Sequence, residues 1–391
     1  MLSTPPPVAL AGAFFLVCAS AAQAVDWSLS GFFSQRVSAA FEEDDAGSDD
    51  TETVRSSTDF GARVGARTKR TTWLFAPGVR GVLSSADDED PELLPRFNGS
   101  VTHISPRSRL TGSVGVVPQF TDEARFEDTG VTERNAIEVL ASASLGFAYE
   151  VDRRNALNIG ANASARTYAQ NGEGLDETRD VGVNAGWRVS LTPRTSASIS
   201  SGARFFTSDG DAANDGYTFN VVAGLDHQIN PRWTANASLG PSVSVAERRV
   251  AQPGGGSRVE RETDFGVVGS AGVSYATPRT NVSASIDQRV DQNEDGTIEN
   301  VFGVGAGVSH RLTSQASVSL NSALSVESPL FGGEESRQVF SLSPRFSIGL
   351  TDDWSLGAGY TFRAEAAEND DGIDVSNFIF LQVSRGLDFL P

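Results

Sequence analysis

Residues able to carry acid–base, nucleophilic or metal chemistry are few in this chain and lie far apart. There are three histidines, His103, His227 and His310. An imidazole acting as a base must stand about 2.6–3.2 Å from the proton it takes. Each of these histidines instead falls on the apolar face of an alternating segment, close to a short joint. No two can share a metal or a nucleophile, so they read as interfacial polar residues and the chain is expected not to be an enzyme. The only cysteine is Cys18, inside the first 24 residues. Thiolate catalysis, disulfides and Cys-based zinc are therefore excluded for the rest of the chain.

One stretch has metal-loop spacing. Asp291-Gln292-Asn293-Glu294-Asp295-Gly296 begins like D-x-[DN]-x-[DN]-G, in which Asp291, Asn293 and Asp295 would offer alternating oxygen ligands to calcium. Position twelve is Phe302 rather than Glu, so the bidentate ligand is missing, and a hairpin tip with solvated acids is the preferred reading. A softer version is that acidic joints hold divalent cations bridging to phosphorylated lipids. No other cofactor is expected.

The remaining chemistry is charge. Fifty acids stand against 31 bases, a net −19, which disfavours a nucleic-acid partner. All the bases but Lys69 are arginine. Many of those arginines recur on the polar face of alternating segments, so the elements that carry them decide what they do.

Val8–Cys18 is apolar but too short to span a bilayer as a helix, and Ala22-Gln23-Ala24 is an A-x-A cleavage site. Residues 1–24 are expected to be a signal peptide, cleaved after Ala24. Val17 stands where a lipoprotein signal needs a small residue before Cys18. The segment ahead of Val8 lacks Lys and Arg, which leaves a start codon further upstream as an alternative.

Residues 25–391 alternate with period 2 from end to end. Phe60, Ala62, Val64 and Ala66 alternate with Asp59, Gly61, Arg63 and Gly65, and Val181, Val183, Ala185 and Trp187 repeat the pattern. Soluble sandwiches alternate too, so the joints decide. Short joints fall at 68–72, 105–109, 152–155, 192–195, 230–232, 277–280, 313–315 and 351–353. Longer, acidic, Gly-rich joints fall between them, at 42–53, 86–95, 121–134, 169–179, 208–216, 246–262, 291–297, 328–336 and 364–374. Eight short and nine long joints predict 18 antiparallel strands in an all-β, up-and-down transmembrane barrel with both termini on the periplasmic side. Strands of about 9–11 residues suffice to cross.

Charge and aromatics sort along the barrel axis. Most acids lie in the long joints or the strand ends beside them, whereas the short joints are rich in arginine. Trp27, Trp73, Trp233 and Trp354 begin strands on the short-joint side and Trp187 lies near it, which predicts a one-sided interfacial girdle. Pro118, Pro241 and Pro344 fall within strands, where bulges or shifted boundaries are expected.

The A-x-A signal, the LTPRTSASIS and LTDDWSLGAGYTF hairpins and the closing strand NFIFLQVSRGLDF carry a resemblance. Over its whole mature length the chain resembles bacterial outer-membrane β-barrels of the porin-like kind. The resemblance is architectural and brings no family-defining motif. It implies export to the outer membrane, contact with outer-membrane lipids, and a closing strand read by the barrel-assembly machinery. In the closing strand Ile379, Leu381, Val383, Leu387 and Phe389 fit, and Arg385 interrupts. Nothing between Asp26 and the first strand could form a transporter plug.

The inward register is expected to hold Arg36, Arg63, Arg80, Arg166, Arg188, Arg204, Arg289, Arg345 and Arg363, against Asp59, Glu138, Glu150, Asp226 and Asp287. That is nine against five. Barrels of 16–18 strands leave an aqueous channel, and rings of arginine favour anions. The leading expectation is a channel for small hydrophilic solutes with weak anion preference. Alternatives are an export conduit for an acidic polysaccharide and a structural or surface-interaction barrel.

Overall fold

The computed structural model describes residues 25–43, 51–85, 92–120, 137–170, 177–209, 214–251, 257–292, 298–329, 336–368 and 372–390. The proposed signal peptide lies outside them. Eighteen strands follow one another: β1 Asp26–Glu43, β2 Thr51–Arg67, β3 Thr71–Ser84, β4 Glu92–Ile104, β5 Ser108–Phe120, β6 Ile137–Glu150, β7 Asn155–Gln170, β8 Thr178–Thr192 and β9 Thr195–Ser208. The second half is β10 Asn214–Gln228, β11 Trp233–Ala251, β12 Ser257–Ala276, β13 Thr280–Gln292, β14 Ile298–Arg311, β15 Ala316–Pro329, β16 Arg337–Gly349, β17 Trp354–Ala367 and β18 Asp374–Leu390. Each pairs antiparallel with its chain neighbours, and β1 pairs with both β2 and β18, so the sheet closes on itself without an edge. The strand number and order expected from the joints are those observed.

Strand length is corrected. The strands run from 13 to 20 residues, well past what a membrane requires. The joint at 246–262 is mostly ladder, with β11 and β12 paired as far as Ala251↔Ser257. Acidic content concealed this, because a hairpin above the membrane can keep its ladder while carrying pairs such as Arg261–Glu247 at 3.7 Å.

The short turns have a common cause. Thr68, Asp152, Thr192, Asn230, Thr277, Thr313 and Thr351 each accept, through a side-chain oxygen, the backbone N–H two residues on. These side chains mimic a backbone turn and close the hairpin in a few residues. The Asp152 carboxyl is held below the usual carboxylate range, chiefly by the Arg154 N–H and then by the Asn155 side chain. A depressed pKa means this cap is formed above the unfolded carboxylate range and is lost as pH falls through the folded value. In an NMR titration the Arg154 amide is expected to shift with a midpoint below that of a free aspartate, and a midpoint at or above the free value would show that the cap is absent.

Prolines interrupt the ladder without shifting its register. Pairing skips Pro241 between β10 and β11 and Pro344 between β16 and β17. The β4–β5 ladder stops at Phe97↔Val116, because continuing it would set Pro95 opposite Pro118, two residues with no N–H to donate. The expected bulges are thus absent at these prolines. Register shifts occur instead at Leu29/Ser30, Ile137/Glu138 and Ser190/Thr192.

The outward register is apolar and open to the surroundings, including Phe60, Val181, Val183, Ile199, Phe205 and Leu239. That is the reverse of a soluble protein, and it matches a surface that meets lipid. Trp27, Trp73, Trp233 and Trp354 stand at the starts of β1, β3, β11 and β17, with Trp187 five residues before the end of β8. All five share this outward register. Trp233 packs on Tyr275 at 4.9 Å, and Trp187 donates its indole N–H to Asn155 at 3.1 Å. Arg385, which interrupts the closing strand, lies over the Trp354 ring at 5.1 Å. Arginine at Ala141 or Val183 is expected to destabilise the barrel by about 2–4 kcal/mol. Wild-type heat-modifiable gel mobility in both variants would show that these positions do not face lipid.

Candidate functional site

Strand parity sends alternate residues into the barrel, and side-chain contacts fix which set they are. Asp59 accepts from Arg80 Nε at 3.0 Å and from Arg96 Nη1 at 2.7 Å, side chains on three successive strands. All nine arginines named from the sequence share this inward register. Arg166 bonds Glu138 at 2.7 Å, Arg188 bonds Asp226 at 2.8 Å, and Arg289 bonds Asp287 at 2.6 Å and Asp291 at 3.4 Å. Arg204 bonds Asp180 and, at 2.7 Å, Asp291. Arg363 bonds Glu365 at 3.1 Å. Arg36 and Arg345 lie over Phe380 at 4.3 and 5.9 Å, and Arg63 lies over Phe32 at 5.1 Å.

The excess of four positive charges is corrected. Arg55, Arg96 and Arg337 join the inward register, as do Asp180, Asp264, Asp291, Glu299, Glu327 and Glu365. With Arg67, Arg109, Arg311, Asp26, Glu262, Asp374 and Asp388, which share the same register, the wall holds fifteen arginines and fifteen acids among the described side chains. Most of these lie in strand ends read from composition as joint or its margin. Carrying the parity through those ends would have found them.

What distinguishes the wall is how its charge is arranged around the circumference. Between the strand ends, β1 to β4 present Arg36, Arg55, Arg63, Arg80 and Arg96 against Asp59 alone among the described side chains. From β6 to β14 the count is Arg166, Arg188, Arg204 and Arg289 against Glu138, Asp180, Asp226, Glu262, Asp264, Asp287, Asp291 and Glu299. One sector is basic and the other acidic. Phe32 sits between Arg63 and Arg96, and Phe380 of the adjoining β18 between Arg36 and Arg345 of β16, so ring faces help hold Arg36, Arg63 and Arg96 in the basic sector.

Width also varies along the axis. Inward polar residues near the outer ends are buried, among them Ser38, Arg55, Glu138, Asp180, Ser208, Ser244, Glu299 and Glu327. Toward the short-turn ends they are open, as at Arg188 and Asp226, 51% and 47% exposed. The narrowing is made by strands that are not neighbours. Arg204 is on β9 and Asp291 on β13, four strand steps or about 19 Å apart along a smooth wall, yet their side chains meet. Phe206 of β9 packs with Ile298 of β14, and Val82 of β3 with Ile137 of β6. The outer end of the wall therefore bends inward. Sequence alternation, being local, gave no sign of these meetings.

Of the three candidate calcium ligands, only Asp291 lies among the described residues. It lies in β13, and its two oxygens accept from Arg204 and Arg289. Asn293 and Asp295 fall outside the described residues, as do the tips of the acidic joints. Phe302 is an outward residue of β14. Among the described residues, no group of three or more His, Cys, Asp or Glu could hold a metal. The histidines form a repeated pattern that the sequence reading missed. Thr71 and His103, Thr195 and His227, and Thr280 and His310 pair hydroxyl to Nδ1 at 2.8, 2.9 and 2.9 Å, each on the outward face beside a short turn.

No protein-family model matches the chain, and no curated protein matches it. Solved structures do resemble it. Pseudomonas aeruginosa OpdO superposes with a TM-score of 0.49 at 12% identity, covering 93% of this chain and 98% of that one. Acinetobacter baumannii OccAB1 gives 0.49 at 12%, covering 92% and 97%. Pseudomonas aeruginosa OccK2 (OpdF), solved in complex with glucuronate, gives 0.48 at 11%, covering 93% and 98%. Likeness at this level assigns no cargo.

Proposed function

We propose that this protein is an outer-membrane channel that passes small hydrophilic solutes, with a weak preference for anions. One observation carries the reading: a closed barrel of 18 strands, apolar outside, encloses a charged, water-accessible wall with an arginine-rich sector. Barrels of this strand number are wide enough for water. Fixed charges in a narrow pore with low-dielectric walls focus the field, so β1–β4 acts on a passing ion more strongly than solvated charges at the mouth. Lipid on the outside and the barrel-assembly machinery during biogenesis are the partners this architecture requires. No catalytic role is assigned, since each histidine faces outward and engages a threonine.

Planar-bilayer recording of the purified protein in a salt gradient tests the reading. Discrete conductance steps are expected, with a reversal potential of the sign for anion preference. Absence of conductance would refute the channel, and a cation-selective reversal potential would refute the preference.

A further inference from the structure

The ladder between β12 and β13 runs from Ala276↔Asn281 to Gly269↔Gln288 and stops there. The same register would set Val268 against Arg289 and Val267 against Val290, and neither pair forms although all four residues are in strands. No proline accounts for the break, unlike that between β4 and β5. Meanwhile β12 stays paired with β11 to Ser257, and β13 with β14 to Gln292. Two intact hairpins therefore part company. The cause is the inward pull on β13–β14, where Arg204 holds Asp291 and Phe206 packs on Ile298.

The split lies within the membrane-spanning part of the wall. Tyr275, packed at a tilt on Trp233, marks the periplasmic interface. A tilted strand crosses the hydrocarbon in about 9–11 residues, which places Gly269 and Val267 inside it and Phe265, 78% exposed, at its outer margin. Strand edges facing only hydrocarbon cost several kcal/mol per unpaired group, so water or a polar ligand must reach them from the lumen. At the foot of the split the outer surface holds a cavity of about 460 Å³, with Leu225, Leu239, Ile286 and Phe302 in its lining and Asp287 and Gln288 beside the last ladder pair. That volume is in the range of small-ligand sites. On the lumen side Glu262, Asp264, Asp287 and Asp291 outnumber Arg289 and Arg204, whose bonds within this group go to Asp287 and Asp291.

We propose that the split between β12 and β13 is a side portal for a single-chain amphiphile with a cationic head. Its tail rests in the outer groove and its head enters the lumen through the split. The inference rests on the membrane placement proposed above, but not on ion conduction.

Two measurements test it, both in a Cys18→Ser background refolded into phospholipid vesicles. Val267→Cys/Val290→Cys is expected to resist oxidation to a disulfide, whereas Ala271→Cys/Ile286→Cys, opposite one another in the ladder, forms it. Equal oxidation of both pairs would overturn the portal. Dodecyltrimethylammonium bearing a terminal diazirine should label β12–β13 several-fold above the rest of the belt. Ala237→Phe, which fills the groove floor from the outside, should abolish that excess and leave conductance unchanged. Labelling spread evenly round the barrel, or equal labelling by the dodecyl sulfate analogue, would overturn the assignment. A barrel that labels as expected but passes no ions would refute the channel and leave the portal standing.

Discussion

Replacing Arg166 with alanine is expected to cost about 3–5 kcal/mol, the usual penalty for leaving a buried charge without its counter-charge. Glu138 is fully buried, and its Oε1 accepts from Arg166 Nε at 2.7 Å, while its Oε2 has no hydrogen-bond partner among the described residues. Desolvation makes the pair poor net stabilisation but makes a broken pair expensive. Glu138→Leu with Arg166→Leu should therefore recover most of the loss, since apolar replacements of a buried pair are often neutral. Arg188→Ala is the contrast. Its pair with Asp226 has the same chemistry and a similar distance, 2.8 Å, but both side chains are about half exposed. Its removal should cost no more than about 1 kcal/mol. Urea titration of the heat-modifiable folded form reads all three. If Arg166→Ala and Arg188→Ala lose the same stability, burial of the Glu138 pair is not what matters.

The second large effect is on selectivity. Arg36 and Arg63 in the basic sector, and Arg345 on β16, stack on Phe380 and Phe32, so their charge is held at fixed positions along the passage. Changing all three to glutamine removes three positive charges, while the acidic sector from β6 to β14 is untouched. The reversal potential is expected to move from anion-preferring to cation-preferring. The acidic joints at the outer mouth oppose the wild-type preference, but solvated charges are screened over about 8–10 Å at ordinary ionic strength. Anion preference should therefore strengthen, relative to the mouth, as salt rises from very low values. An unchanged reversal potential in the triple variant would remove these arginines from the selectivity mechanism. The related triple change at Arg63, Arg80 and Arg345 should shift the potential in the same direction, though Asp59, which Arg80 and Arg96 share, retains a partner there.

Much of this architecture is legible in the chain itself. Period-2 alternation fixes which side chains share a face, because successive residues of any strand point to opposite sides. Threonine, asparagine and aspartate at the turns, followed by arginine, mark the closed ends, since their side-chain oxygens supply the turn's hydrogen bonds locally. Strand number, order and the outward tryptophans follow from these near-neighbour rules. So does the inward register of the nine arginines.

Three features needed the folded barrel. Strand ends such as Ala251 and Ser257 pair beyond the membrane because ladder hydrogen bonds do not depend on side-chain polarity, which is all that composition reports. The stacking of Arg36 on Phe380 at the flank of the basic sector forms only when β18 closes on β1 and sets strands remote in sequence side by side. The meeting of Arg204 with Asp291, 87 residues apart, depends on the wall bending inward by several strand widths. Alternation carries no information about that curvature, because it constrains each residue only against its neighbours on the same strand and the next.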